Sequence, residues 1–402
     1  MSKLDIVNVH VVTPGKDLGV TSVSVEGDRI VAVGGAPTGG ETLDATGLFA
    51  LPGFIDIHSH GRGGADFCDL TDAAFDTIGR GKLADGVTGF LATGLTRPES
   101  DLAELCRCAE RYKERANRSA VQPSTSNLQP SFATCLGVHL EGPFFNAKMA
   151  GAQNPAYLMN PDAAMVKRLN AISPIAKVSL APELEGAEAC IRELADAGIV
   201  CSLGHSEADY ATFERARQAG ATHLTHFCNA MMPIHHLRPS MVTGGMLADD
   251  VYAEIITDGV HLSDPMIRLI AKNKGPDRIL LITDAMCAAG EPDGIYSLGG
   301  LRVKVEKGKA TLADVPYDPK AVVSNVAGSV ALYPQCFKRY VKASGLPLEE
   351  AVKATSYNQC VSLGIPDRGE IAPGKIADLT LLDANLDPQM TVVGGQIAWK
   401  RK

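Results

Sequence analysis

Six residues of metal-ligand type each stand at or just past the end of a short apolar run in this chain. Imidazole and carboxylate groups are the ligands that suit zinc or a similar divalent ion. One His-x-His pair alone would be weak support, because alternate side chains of any strand point to the same face. The repeated placement predicts a metal site formed by His58, His60, Glu141, His205, His226 and Asp284.

The elements that must position these residues alternate along the middle of the chain. Strand-like and helix-like segments in alternation predict a parallel sheet, and eight such units favour a closed (β/α)8 barrel over an open sheet. Side chains at the C-terminal ends of barrel strands converge on one site. The eight apolar runs are Phe54–His58, Gly89–Thr93, Cys135–His139, Val178–Ala181, Val200–Leu203, Thr222–Thr225, Ala253–Thr257 and Ile279–Thr283.

Both ends of the chain have a residue pattern that differs from that of the middle. VNVHVVTP and TSVSVEGD near the N-terminus, and IADLTLLDA near the C-terminus, cluster β-branched residues between Gly, Asp and Pro breaks. We therefore expect residues 1–51 and 371–402 to form one small β-sandwich domain. Residues 52–370 are expected to form the catalytic barrel.

Composition narrows the classes of function. A chain of 402 residues accommodates a barrel of about 250 residues with additions. The net charge of −8, without a long basic tract, disfavours nucleic-acid binding. No apolar run reaches the ~20 residues of a membrane span, and the N-terminus lacks a signal-peptide pattern. A cytoplasmic location is expected, and the ten cysteines are interpreted as free thiols.

The motifs resemble one enzyme family over nearly the whole chain. They are PGFIDIHSHG, HLEGPF, LGHS, THLTHFCNAM, DGVH, LITDAM and NVAGS. With them the chain resembles the N-acetylglucosamine-6-phosphate deacetylases of the amidohydrolase superfamily. HLEGPF and THLTHFCNAM are specific to that family, whereas PGFIDIHSH is shared by the superfamily. The resemblance implies one or two divalent ions, zinc foremost with iron or manganese as alternatives, and a homodimer.

The resemblance also implies roles for single residues. His58 and His60 correspond to a first-strand metal pair. Glu141, His205 and His226 correspond to the ligands of the principal ion, and Glu141 can bridge two ions. Asp284 corresponds to the catalytic acid/base. The implied substrate contacts are Ala152, Gln153, Asn229, Ala230, Arg238, His261, Val326, Ala327 and Gly328.

Two departures from the family pattern fall on substrate contacts. Gln153 stands where the family usually has histidine. In an ungapped comparison, Leu237 takes the place of an arginine that helps to hold a phosphate, and Arg238 takes the place of a glutamate. The metal ligands and the catalytic acid/base are therefore expected to be intact, while some residues that recognise the substrate differ from the family pattern.

The expected function is metal-dependent hydrolysis of the N-acetyl amide of an amino-sugar phosphate, foremost N-acetylglucosamine 6-phosphate. One alternative is a deacetylase of another, unphosphorylated N-acyl sugar. A cyclic-amide hydrolase is opposed by the family motifs and by the lack of a metal-bridging lysine at a strand end. A non-catalytic scaffold is opposed by the retained ligands. His139 and His223 are interpreted as core residues, and His235–His236 as either a site loop or surface.

Overall fold

The protein is described here by a computed structural model that covers residues 2–121, 132–316 and 325–402. Its centre is a nearly closed barrel of eight parallel strands, each paired with the next along the chain. The prediction of a (β/α)8 barrel is confirmed. Barrel strands one to eight are Phe54–Asp56, Val87–Gly94, Thr134–Glu141, Ile175–Leu180, Val200–Leu203, His223–Leu224, Tyr252–Ile255 and Ile279–Leu281.

The barrel closes between strands eight and one just beyond their C-terminal ends. The backbone N–H of Asp284 donates to the carbonyl of His58 at 2.9 Å, and the N–H of His60 donates to the carbonyl of Ala285 at 2.8 Å. Below them, the Thr283 hydroxyl donates to the buried carboxylate of Asp56 at 2.7 Å. Closure therefore brings together three of the six candidate metal ligands.

The helices are amphipathic and cover the barrel. The helix after strand five begins behind Asp209, whose carboxylate accepts from the Thr212 N–H, and buries Phe213 and Ala216 on one face. It ends at Gly220, whose φ of 117° suits glycine. The α-helices of the described residues are Asp72–Ala84, Glu99–Val121, Ala163–Asn170, Ala187–Asp196, Tyr210–Ala219, Met241–Leu247, Asp264–Lys274, Tyr333–Ser344, Leu348–Ala351 and Tyr357–Ser362.

Short elements decorate the mouth of the barrel. A three-stranded antiparallel sheet packs its apolar face on residues that follow barrel strands two and eight, such as Leu95 and Met286. Its strands are Gly294–Leu298, Leu301–Glu306 and Lys309–Leu312, and a two-stranded hairpin is formed by Gly61–Arg62 and Ala65–Asp66. The 3-10 turns are Phe67–Asp69, Ala147–Met149, Pro155–Tyr157, Pro276–Arg278 and Val352–Thr355.

Both termini join in one mixed β-sheet with its own apolar core. Phe49–Pro52 pairs antiparallel with Leu379–Leu382, so that Ala50 lies opposite Leu381. Ile6, Val9 and Leu379 are buried within this core. The remaining strands of the sheet are Lys3–Thr13, Lys16–Glu26, Arg29–Val33, Glu41–Asp44, Pro388–Val393 and Gln396–Lys400.

No helix in the described parts of the chain is both long enough and apolar enough to cross a bilayer. All ten cysteines are free, and nine of them are buried. The thiols therefore pack as small apolar side chains, as the sequence predicted.

The Asp5 carboxylate stabilises the terminal sheet by hydrogen bonds whose strength depends on pH. Its buried carboxylate accepts from the Ser24 hydroxyl at 2.6 Å and from the backbone of Thr38, Gly39 and Gly40 at 3.0–3.2 Å. The Ser24 and backbone donors lower its pKa to about 2, against about 3.9 in an unfolded chain.

We expect Asp5→Ala to lower the thermal unfolding midpoint at pH 7, because five donors lose their acceptor. A carboxyl group whose pKa is lower in the folded than in the unfolded protein contributes its full stabilisation above the unfolded pKa. The parent should therefore be more stable than Asp5→Ala at pH 5 to 7, and this difference should fade between about pH 4 and pH 2. Melting curves of both proteins across that range test this. Equal midpoints at pH 7 would contradict it.

Candidate metal and catalytic site

The six predicted metal-site residues meet at the C-terminal mouth of the barrel, where Glu141 ends strand three and the other five lie in the loops that follow strands one, five, six and eight. They form two buried groups, and within each group the ligand atoms lie within 4.8 Å of one another. The groups are His58, His60 and Asp284, and Glu141, His205 and His226. This arrangement is consistent with a binuclear metal site.

Glu141 lies between the two groups. Its Oε1 is 3.2 Å from the Nε2 of both His205 and His226, and those two nitrogens are 3.0 Å apart. Its Oε2 is 3.1 Å from the Nε2 of His60. One carboxylate therefore faces both groups, with Oε2 beside His60 and Oε1 beside His205 and His226 and also 3.4 Å from the Nε2 of His58.

The other group surrounds Asp284. Its Oδ1 lies 3.1 Å from the Nε2 of His60 and 3.5 Å from the Nε2 of His58. The Nε2 of His58 is fully buried and makes no hydrogen bond. A buried nitrogen that faces two carboxylates without a hydrogen bond is suited to coordinate a cation.

The donor set and its spacing fit a divalent ion. Ligands about 2.0–2.1 Å from a tetrahedral zinc stand roughly 3.3 Å apart, close to the 3.0–3.2 Å seen around Glu141 Oε1. The Nδ1–H of His205 donates to the Met149 carbonyl at 2.8 Å. That bond leaves the lone pair of Nε2 directed at Glu141, which is the tautomer a metal requires.

The charge balance also favours a cation between the carboxylates. Burial opposes the charged form of His58, yet Glu141 and Asp284 raise its pKa to about 9. The pKa of His60 is raised by the same two carboxylates against the effect of burial. Burial likewise opposes the charged forms of Glu141 and Asp284, but the surrounding imidazoles lower the pKa of both. A bound divalent ion would supply this positive charge without the protons.

The backbone at three of the six residues is left-handed. The φ angles are 47° at His205, 31° at His226 and 49° at Asp284. Residues other than glycine adopt this region rarely, and such positions cluster at active sites, where the surrounding structure holds them. Each of these residues lies two or three residues beyond the end of a barrel strand, so the turn that follows the strand also aims the side chain into the site.

Gln153, one of the predicted substrate contacts, is a neighbour of Glu141. Its Nε2 donates to Glu141 Oε2 at 2.7 Å, and its Oε1 accepts from the backbone N–H of Thr96 at 2.8 Å. Both ends of the amide are therefore engaged in holding the central carboxylate. The residue that departs from the family pattern here supports the metal ligands.

Most other predicted substrate contacts lie at the mouth beside the clusters. Asn229 follows His226 and donates from its Nδ2 to the His226 carbonyl at 3.0 Å. Gly328 lies so close to strand eight that a Cβ there would stand 3.1 Å from the Asp284 carbonyl. Ala152 contacts the apolar group that contains Ala327. Ala230, with φ of 49°, and Val326 flank these positions.

His261 is held by a carboxylate. Its Nδ1 is 2.8 Å from Asp258 Oδ2, and Asp258 Oδ1 also accepts from the backbone N–H groups of Val260 and His261. Burial opposes the charged imidazole, but Asp258, and to a lesser extent Asp284, raise the pKa of His261. The Asp258 carboxylate therefore makes this imidazole easier to protonate than an isolated histidine.

Arg238 lies apart from the clusters within this chain. The residue is exposed, with its Nη2 3.4 Å from the Nε2 of His235. Its neighbour Leu237 is 77% exposed. The rings of His235 and His236 stack at 4.7 Å on the same loop. The loop is thus a surface of the chain described here, and neither Leu237 nor Arg238 contacts a metal ligand.

A buried ion pair beneath the site was missed by the sequence analysis. Lys177, in barrel strand four, bonds to Glu254, in barrel strand seven, and neither has any exposed surface. Glu254 also contacts the Nδ1 of His58 at 3.2 Å. His139 and His223 are fully buried nearby, and burial lowers the pKa of both, as suits neutral core residues. Charged residues beside or inside strand-like runs were the available signal.

The chain is similar to known proteins at two levels, a broad enzyme class and one family within it. Residues 49–398 match the amidohydrolase family, the class that the barrel and its paired ligand clusters define. The chain is 34% identical over 363 residues to the N-acetylglucosamine-6-phosphate deacetylase of Lysinibacillus sphaericus, covering 89% of this chain and 88% of the relative. It is 32% identical to the human enzyme of that name, covering 90% and 86%.

Solved structures agree with these relatives. A crystal structure of N-acetylglucosamine-6-phosphate deacetylase from Thermotoga maritima superimposes with a TM-score of 0.85 at 34% identity, over 99% of this chain and 100% of that one. A Mycobacterium smegmatis variant enzyme in complex with N-acetyl-D-glucosamine-6-phosphate gives 0.86 at 32% identity, over 99% of each chain. The chain therefore belongs to the N-acetylglucosamine-6-phosphate deacetylase family.

Proposed function

We propose that this chain hydrolyses the acetamide of N-acetylglucosamine 6-phosphate to glucosamine 6-phosphate and acetate. The observation that carries the proposal is the pair of buried ligand groups around Glu141 with Asp284 directed into them. The complex of the M. smegmatis relative with that phosphosugar supports the choice of substrate.

His58, His60, Glu141, His205 and His226 would hold one or two divalent ions. We favour two ions and zinc, with iron or manganese as alternatives, because imidazole and carboxylate ligands serve all three. A bound ion of this kind polarises the amide carbonyl and lowers the pKa of water to roughly 7. Glu141 orients both groups of ligands, and Gln153 holds Glu141 through its 2.7 Å bond.

Asp284 is the proposed acid/base. As a carboxylate it accepts a proton from the attacking water and then transfers it to the amide nitrogen, so that the C–N bond breaks and a neutral amine leaves. Asn229, Ala230 and Gly328 adjoin the clusters and would line the sugar. His261, whose pKa is raised by Asp258, would in its charged form donate to an oxygen of the substrate.

The arrangement of the whole molecule is proposed as follows. Residues 1–51 and 371–402 form one domain that stabilises the barrel without contributing ligands, and residues 52–370 form the catalytic domain. The chain acts as a cytoplasmic homodimer. The exposed loop at residues 233–239, with Leu237 and Arg238 at its surface, is then free to serve a neighbouring subunit.

Acetate release from N-acetylated sugars tests the proposed function. With metal-loaded protein we expect release from N-acetylglucosamine 6-phosphate, loss of activity after thorough chelation, and recovery with zinc, iron or manganese. A chelated protein that is metal-free by elemental analysis and still fully active would end the proposal. Preference for a different, unphosphorylated N-acyl sugar would instead support the alternative substrate class.

Arg238→Ala tests the recognition of phosphate. A charge-assisted contact to a phosphate contributes about 1.5–3 kcal/mol, so we expect KM for the 6-phosphate to rise roughly tenfold or more. KM for unphosphorylated N-acetylglucosamine should scarcely change. Arg302→Ala, which removes another exposed arginine, is the matched control. An unchanged KM for both sugars would exclude Arg238 from phosphate binding.

A further inference from the structure

The layer of the barrel interior just below the metal ligands is polar. Barrel interiors are commonly filled by branched apolar side chains, yet here hydrogen bonds of 2.6–3.4 Å link six fully buried polar residues across strands two to seven. They are Thr93, His139, Ser179, Thr225, Ser202 and Glu254. The row ends at Glu254, which touches a metal ligand.

Glu254 has a distinct partner on each oxygen. Its Oε1 accepts from the Nζ of Lys177 and, at 3.4 Å, from the hydroxyl of Ser202. Its Oε2 lies 3.2 Å from the Nδ1 of His58. Lys177, Glu254 and His58 have no exposed surface. An uncompensated charge would be costly at this depth, and the buried lysine supplies the opposite charge that a carboxylate needs there.

This contact decides the tautomer of His58. A carboxylate only accepts hydrogen bonds, so in the neutral ring that binds a metal the proton lies on Nδ1 and the lone pair lies on Nε2. That Nε2 has no hydrogen-bond partner and stands 3.4 Å from Glu141 and 3.5 Å from Asp284. The Nδ1 atoms of His60 and His226 have no hydrogen bond, and that of His205 donates to a backbone carbonyl. Among these four histidines, His58 is the one whose Nδ1 contacts a charged side chain, that of Glu254.

We propose that Glu254, held in place by Lys177, is a positioning residue that fixes the ring and tautomer of His58 for the ion bound with His60 and Asp284. The inference rests on the two-ion site of the proposed function. Partners that receive the outer N–H of a ligating histidine orient it, and their loss typically weakens metal binding by about 10–100-fold.

Glu254→Gln is the sharpest variant, because it keeps the shape of the side chain. Lys177 can only donate, so the introduced amide should turn its oxygen to Lys177 and its NH₂ group to His58. The Nδ1 must then accept, and the ring proton moves to the Nε2 that faces the ion. Zinc titrated into metal-free protein in competition with a chromogenic chelator should give two tight sites in the parent. The variant should keep one and bind the other about 10–100-fold more weakly.

Asp378→Asn is the matched control, since it also converts a buried, ion-paired carboxylate to an amide, but beside Arg368 in the terminal region. It should bind both ions as the parent does. Two tight sites in Glu254→Gln would overturn the inference while leaving the two-ion proposal intact. One site in the parent would instead contradict the two-ion proposal, and with it the role given to His58.

If Glu254→Gln does not fold, the double variant Lys177→Met with Glu254→Leu tests the role of Glu254 instead. Apolar replacement of a buried ion pair is often neutral or stabilising. We expect this protein to melt near the parental temperature and to show the same weakened site. Parental affinity for both ions in the double variant would equally overturn the role of Glu254.

Discussion

Asp284→Asn is expected to lower kcat for deacetylation by about 10²–10⁴, the usual cost of losing general acid–base catalysis. The amide keeps the shape of the side chain, but it can neither accept the proton of the water nor transfer it to the leaving nitrogen. The ion at Glu141, His205 and His226 should remain, because no ligand atom of that group is changed. Steady-state kinetics with parallel metal analysis test both expectations.

Two further measurements separate catalysis from structural damage in this variant. KM should change far less than kcat if Asp284 acts mainly in proton transfer. Asp378→Asn carries the same chemical change at a buried ion pair of the terminal region and should keep parental kcat. If Asp284→Asn keeps more than about a tenth of the parental kcat, which lies outside the range above, another residue performs the proton transfer.

The convergence of the candidate metal ligands was predictable because two independent signals coincide in the sequence. His58 and Asp284 each follow an apolar run, and parallel strands bring their C-terminal ends to one face. Once eight runs predict a barrel, strands one and eight must be neighbours. Their side chains must then meet, as the 3.5 Å distance between Asp284 Oδ1 and His58 Nε2 shows. Neither argument requires knowledge of side-chain conformations.

The supporting residues were not predictable in the same way. Lys177 directly precedes one strand-like run and Glu254 lies within another, and a run alone does not tell which residues face the barrel axis. Their pairing depends on the register of strands four and seven, which are 77 residues apart in sequence at this contact. Gln153 is predicted to contact substrate, and the structure adds a contact that the sequence did not predict, the bond from its amide to Glu141.

Glu141→Gln is expected to reduce metal binding in both groups at once. One oxygen lies 3.2 Å from His205 and His226, and the other 3.1 Å from His60, so an amide offers a neutral oxygen to one group and a competing N–H to the other. The Lewis-acid contribution of an ion is worth several kcal/mol. A loss of about 4 kcal/mol corresponds to roughly 10³-fold in kcat/KM.

Gln153→Ala provides the graded comparison for this prediction. It removes the 2.7 Å bond to Glu141 Oε2 and the 2.8 Å bond that Gln153 accepts from Thr96, and it leaves every candidate ligand of both groups in place. A bond to a charged group contributes about 1.5 kcal/mol or more, so kcat/KM should fall about tenfold with both ions retained. Elemental analysis and kinetics of the two variants show how much Glu141 and Gln153 each contribute to metal binding and to kcat/KM. If Glu141→Gln kept both ions and activity near that of Gln153→Ala, Glu141 would not be the shared ligand, and His60 with Asp284 would have to hold an ion without it.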